Sequence, residues 1–195
     1  MITLVIVDCQ SDFIAGTMSK KNTKNILPEI KNFIKEHQKD IDQIIFTVDW
    51  HPYNHCSFKK NGGLWPQHCV QDTPGACIEP KLLKYVQSTG IKYSVDRKGV
   101  YEEVEEYGAF SEIDVVQDSL GDRYYFDNLI RVDANTEIVI CGVTGDYSIK
   151  ETLKNLKENR IEPKVFMDGL ASMDNGEKLN KFIKEWGIEK YEENR

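Results

Sequence analysis

Unbroken apolar runs, spaced by stretches of helical periodicity, set the plan of this chain. Residues 2–7, 44–48 and 137–141 do not alternate between apolar and polar positions. They therefore read as strands buried on both faces. Residues 91–95 and 163–167 are weaker strand candidates. Between these runs, Ile26, Leu27, Ile30, Phe33 and Ile34 share one helical face. So do Ile149, Leu153 and Leu156, and then Leu179, Phe182, Ile183 and Trp186. Asp174 followed by Glu177 resembles the capped start of that last helix. Strands alternating with helices predict an α/β fold of three layers, a mostly parallel sheet with helices on both faces. Residues 112–132 are the least regular part, and Gly121-Asp122-Arg123 marks a short hairpin turn within them.

Length and composition narrow the class without choosing a function. A chain of 195 residues buries a sizeable core, and one domain over 1–195 is expected, with no repeat, low-complexity tract or linker. Composition is ordinary for a globular protein, 40% apolar and 29% charged. No stretch reaches the roughly 18 apolar residues of a membrane span. The start, Met-Ile-Thr-Leu-Val-Ile-Val-Asp, reads as a core strand rather than a signal peptide, so a cytoplasmic protein is expected. Five cysteines without a C-x-x-C pair suit free thiols in a reducing compartment. A net charge of −7 with no basic stripe argues against a nucleic-acid partner.

The candidate chemistry gathers at strand ends, where open α/β sheets bind ligands. The first strand ends at Asp8 and the second at Asp49, with His51 just beyond. The third candidate runs into Asp96-Arg97-Lys98-Gly99. The fourth ends at Cys141-Gly142, and Val143-Thr144-Gly145-Asp146-Tyr147-Ser148 then enters a helix. A carboxylate and an imidazole two residues apart, past a strand, can converge on one divalent metal. Three of the four histidines, His51, His55 and His68, fall between residues 51 and 68. Asp49, His51 and His68 are therefore the candidate metal ligands, and His55 is either a fourth ligand or a group behind them. His37, in a lysine-rich helical stretch, reads as a solvated surface residue. Each feature has an ordinary structural explanation when taken singly. Asp8 suits a turn cap, Lys98 a solvated lysine, Phe13 and Trp65 the core, and Cys69 and Cys141 buried inert thiols. The coincidence of four strand ends is what points to an active site.

Six segments, in order, carry a resemblance that covers most of the chain. They are Val7-Asp8-Cys9-Gln10-Ser11-Asp12-Phe13, Asp49-Trp50-His51-Pro52-Tyr53-Asn54-His55, Trp65-Pro66-Gln67-His68-Cys69-Val70-Gln71, Thr73-Pro74-Gly75-Ala76, Lys98-Gly99 and Cys141-Gly142-Val143-Thr144-Gly145-Asp146-Tyr147. With them the chain resembles the nicotinamidases, also called pyrazinamidases, of the isochorismatase-like cysteine hydrolase superfamily. The resemblance implies the isochorismatase-like hydrolase fold and a metal-dependent amidase of NAD salvage, turning nicotinamide into nicotinate and ammonia. It implies one divalent ion on Asp49, His51 and His68, zinc before manganese or iron. It implies Asp8 as general base and acid, Lys98 as its electrostatic partner, and Phe13 and Trp65 against the substrate ring. The backbone N–H groups of Thr144 and Ser148 would form the oxyanion hole, beside a cis Val143–Thr144 peptide. The partner implied is a small aromatic amide, with no nucleic acid and no membrane; a homo-oligomer is compatible with the sequence.

One position departs from the pattern. The family places its nucleophilic cysteine directly after the Asp-Tyr pair, and here that residue is Ser148. An alcohol is far less acidic than a thiol and needs a stronger base. The resemblance thus implies a very slow or inactive enzyme. Because everything else the cysteine needs is intact, a cysteine replaced by serine is the favoured account. A natural serine would fit two alternatives: a protein that binds nicotinamide without turnover, or an isochorismatase-type hydrolase acting without a cysteine. The latter leaves the metal ligands without a task.

Overall fold

The computed structural model describes residues 1–111, 113–117, 123–127 and 130–192, with side chains for 1–111 and 131–192. Six strands form one sheet: β1 (Ile2–Val7), β2 (Ile41–Asp49), β3 (Tyr93–Lys98), β7 (Glu137–Gly142), β8 (Lys164–Leu170) and β9 (Glu189–Lys190). Their order is β3-β2-β1-β7-β8-β9, and every pairing in it is parallel. A parallel sheet needs helical crossovers. They are α2 (Ile26–Glu36), α3 (Pro80–Thr89), α4 (Lys150–Glu158) and α5 (Glu177–Trp186), with the short α1 (Ser11–Ile14) directly after β1.

Alternation within the strands divides the core into two halves. Leu4, Ile6, Ile44, Phe46 and Val139 pack with Ile30, Phe33 and Ile34 of α2 and Leu82 and Val86 of α3. Val5, Val7, Ile45, Ile140 and Val165 pack with Leu153 and Leu156 of α4 and Leu179, Phe182 and Ile183 of α5. The expected three layers are present. Because the helices change face between β1 and β7, the strand order reverses there. That switch point is where a crevice opens at the carboxyl ends of the strands.

The differences from the sequence reading have local causes. α3 escaped it, although Leu82, Leu83 and Val86 are spaced for one face and Pro80 sits in its first turn. Glu79 caps that helix, its side chain accepting the Leu82 N–H at 2.7 Å. β3 and β8 begin later than the apolar runs suggest and extend three residues further, to Lys98 and Leu170. Asp174 does anchor the start of α5, accepting the N–H groups of Gly176 and Lys178. The segment read as least regular holds β4 (Ile113–Gln117), β5 (Arg123–Asp127) and β6 (Ile130–Asp133), an antiparallel three-stranded sheet. The turn residues Gly121 and Asp122 lie outside the described residues. His37 is half-buried rather than solvated, its ring 4.5 Å from that of Phe33 and 5.4 Å from that of Tyr191. No described helix is long and apolar enough to cross a membrane.

Leu153 is fully buried between α4 and the sheet. Leu153→Ala should cost about 2–5 kcal/mol. At about 2–4 °C per kcal/mol, the melting temperature falls by roughly 5–20 °C. A thermal melt followed by circular dichroism checks this.

Candidate active site and metal centre

Four strand ends deliver the polar side chains. The register sets Asp49 beside Lys98 across β2 and β3. Asp8 follows β1 with φ 47°, a left-handed conformation that turns the chain out of the sheet. Its carboxylate is fully buried, takes a hydrogen bond from the Thr47 hydroxyl at 3.0 Å, and lies 2.9 Å from Lys98 Nζ. Lys98 Nζ also donates to Asp49 Oδ1 in a short contact. Lys98 is 2% exposed, and a buried ammonium persists only when paired. Burial opposes its charge, but Asp49 and Asp8 together hold its pKa above the ordinary lysine range. Burial pushes the Asp8 carboxyl up to about 6, against the pull of Lys98 and the Ser148 hydroxyl. Burial also acts upward on Asp49, yet Lys98, His51 and His68 hold it well below the usual carboxylate range.

Asp49, His51 and His68 present one ligand atom each within 4.8 Å of one another, and all three are buried. Asp49 Oδ2 lies 3.5 Å from His51 Nε2 and 3.7 Å from His68 Nε2. Ligands at about 2.1 Å around one tetrahedral ion stand roughly 3.4 Å apart. The other nitrogen of each ring is engaged: His51 Nδ1 on the Gly99 carbonyl at 3.0 Å, His68 Nδ1 on the Pro66 carbonyl at 2.8 Å. An imidazole that donates from Nδ1 keeps its lone pair on Nε2, the nitrogen facing the cluster. The donor set therefore fits a divalent ion. His55 is arranged differently. Its Nδ1 meets Ser57 Oγ at 2.7 Å and its Nε2 the Val104 carbonyl at 2.9 Å, while its ring stacks 4.0 Å from that of His51. With both nitrogens occupied, His55 backs His51 rather than facing the cluster. Phe58, fully buried, packs edge-on to all three rings.

Beyond β7 the Val143–Thr144 peptide is cis. A π turn, Gly145–Ile149, then leads into α4, where a plain α-helical entry would be the default. Thr144 O accepts from both Tyr147 and Ile149, Gly145 N–H donates to Ala171 O, and Asp146 Oδ1 accepts from Met173 N–H at 2.9 Å. These bonds fix the turn that carries Ser148, itself buried. Cys69 and Cys141 are buried and their thiols pushed well up by burial, so they are not reactive centres.

One cavity of about 20 Å³ is lined by Phe13, Trp65, Asp49, His68, Thr144 and Ser148. That is room for about one water molecule, so a ring would enter only with movement of the wall side chains. Met18, Tyr107, Tyr147 and Met173 complete the wall and were not singled out from sequence. Trp65 Nε1 donates to the Tyr107 hydroxyl at 3.1 Å, and the Trp65 and Tyr147 rings meet edge to face at 4.9 Å. Tyr147 sits inside a quoted motif and was legible by position. Tyr107 ends an acidic stretch and carries no local pattern.

Gly99 makes the His51 support possible. Its φ is 63°, and a methyl group there would lie 2.5 Å from His51 Cε1. Gly99→Ala should therefore displace the ring and weaken zinc binding about 10-fold or more. Titration of the purified variant against a chromogenic chelator measures this; affinity equal to that of the unmodified chain contradicts it.

Comparison with known proteins agrees with this architecture. Residues 3–97 match the isochorismatase domain. The nicotinamidase of Saccharomyces cerevisiae is 28% identical over 212 residues, covering 95% of each chain. The structure of the yeast nicotinamidase bound to the inhibitor nicotinaldehyde superposes with a TM-score of 0.77 at 26% identity, covering 99% of this chain and 100% of that one. The pyrazinamidase of Pyrococcus horikoshii in complex with zinc gives 0.73 at 25% identity, covering 98% of both. The chain thus has the isochorismatase-like hydrolase fold, with residues 3–97 similar to the isochorismatase domain and nicotinamidases among its relatives.

Proposed function

We propose that this protein is a metal-dependent amidohydrolase of the nicotinamidase type, acting on nicotinamide and similar aromatic amides, with its nucleophile blunted to serine. The observation that carries the reading is one small cavity shared by two sets of groups. Asp49 and His68 line it from the metal-ligand set and Thr144 and Ser148 from the turn, while Lys98 pairs with both Asp8 and Asp49. The relatives named above support the substrate class. When bound, the ion would be held by Asp49, His51 and His68 and would orient the substrate ring through its pyridine nitrogen. Phe13 and Trp65 would flank that ring. Residue 148 would attack the amide carbonyl while Asp8 takes its proton and later passes it to departing ammonia. Lys98 keeps Asp8 ionised at the start. The N–H groups of Thr144 and Ser148 would receive the developing oxyanion.

The serine limits this chemistry. Asp8, even raised to about 6, is a weak base toward an alcohol. Ser148→Cys should raise ammonia release from nicotinamide at least about 100-fold and make the protein sensitive to thiol alkylation. Equal rates in both forms would remove the nucleophile assignment. Ser148 also favours a second reading, a protein that binds nicotinamide without turnover. Tight binding with no ammonia release even after Ser148→Cys would select it.

The base assignment has its own test, in the pH profile of the Ser148→Cys form. Its acid limb should rise with pH as Asp8 loses its proton. Burial raises the Asp8 pKa and Lys98 lowers it, so Lys98→Met should move that limb to higher pH. A limb that stays in place, at any rate, contradicts the pairing.

A further inference from the structure

β1 pairs with β2 as far as Val7 and Thr47, and the Asp8 N–H adds one more bond to the Thr47 carbonyl at 3.0 Å. The left-handed turn at Asp8 then takes the chain away. Asp49, two residues further along β2, has no β1 backbone opposite it. A buried N–H and C=O at that place each need a partner. Both are met by one side chain. Gln10 Oε1 accepts the Asp49 N–H at 2.8 Å, and Gln10 Nε2 donates to the Asp49 carbonyl at 2.7 Å. The second Nε2 hydrogen goes to the Ala76 carbonyl at 2.8 Å. The carboxamide stands in for the missing peptide unit of β1. Two facing carbonyls and one facing N–H admit a single orientation of the amide, so an acid of the same shape cannot replace it. Gln10 is fully buried.

Two residues later, Asp12 does the corresponding work for the other half of the cluster. Its Oδ2 accepts the Cys69 N–H at 2.8 Å, directly after His68. Gly75, in the loop that Gln10 also holds, packs against the same carboxylate, since a methyl group there would lie 2.1 Å from Oδ2.

We infer that the turn Gln10–Asp12 positions the candidate metal centre, Gln10 fixing the backbone of Asp49 and Asp12 fixing that of the His68 loop. The inference rests on reading Asp49, His51 and His68 as metal ligands and is independent of the substrate. Groups behind metal ligands typically change affinity about 10–100-fold when altered.

The test is zinc affinity of the purified full chain, by competition with a chromogenic chelator, beside the melting temperature of the metal-free protein. Gln10→Glu keeps the size and one acceptor but loses both donors, and Gln10→Met loses all three bonds. Both should weaken zinc about 10–100-fold while the metal-free fold persists at the assay temperature. Asp12→Ala should do likewise, and Asp12→Asn, which retains an acceptor for the Cys69 N–H, should recover most of the affinity. Unchanged zinc affinity in a folded Gln10 or Asp12 variant, with only the melting temperature lowered, makes the turn purely structural and overturns the inference. If the Gln10 variants do not fold, the Asp12→Ala and Asp12→Asn pair decides by the same criterion. An unmodified chain that binds no zinc overturns the metal reading instead.

Discussion

A buried ammonium between two buried carboxylates is the constraint on which the rest of this site depends. Lys98 touches Asp8 and Asp49, and all three are buried. Taking Lys98 away leaves two uncompensated carboxylates in the interior, and taking either carboxylate away leaves the ammonium a single partner, so the three side chains are coupled. They come from three adjacent parallel strands, and their meeting fixes how those strands end. Asp49 must finish β2 level with Lys98, and Asp8 must leave the sheet to reach the same ammonium. The metal candidates are then anchored through Asp49.

Most of the sheet was legible because buried parallel strands are apolar on both faces and cannot be mistaken for amphipathic helices. α3 was less so. Its apolar stripe is short, Leu82, Leu83 and Val86, and falls within a loop-rich stretch dominated by metal-motif residues. The antiparallel strands between residues 113 and 133 lack the long apolar runs of the main sheet, so no buried-strand pattern marked them. His37 shows the limit of neighbourhood composition. Its lysines point to water, but the helix end turns the imidazole onto Phe33.

The polar residues at strand ends were readable because four strand ends carried them together, not because any one of them is unusual there. What composition and spacing cannot carry is contact between distant segments. Tyr107 meets Trp65 across 42 positions, and Gln10 meets Asp49 across 39. His55 illustrates the same point from the other side. Spacing alone left it open as a fourth ligand or a group behind the ligands, and the Val104 carbonyl and Ser57 hydroxyl decide where its nitrogens point.

The switch point between β1 and β7 has a consequence for selectivity. The candidate metal ligands stand beyond β2, while the turn carrying Ser148 follows β7, with β1 between them. Six register pairs of backbone, from Ile2–Glu137 to Val7–Gly142, lock those two groups of strands together. The span from ring anchor to attacked carbonyl, on the proposed reading, is therefore set by main-chain hydrogen bonds rather than by mobile side chains. On the proposed reading the site works as a fixed ruler. It admits an amide at one distance from the ring nitrogen, and discriminates among isomers of equal size and polarity by where on the ring the amide is attached.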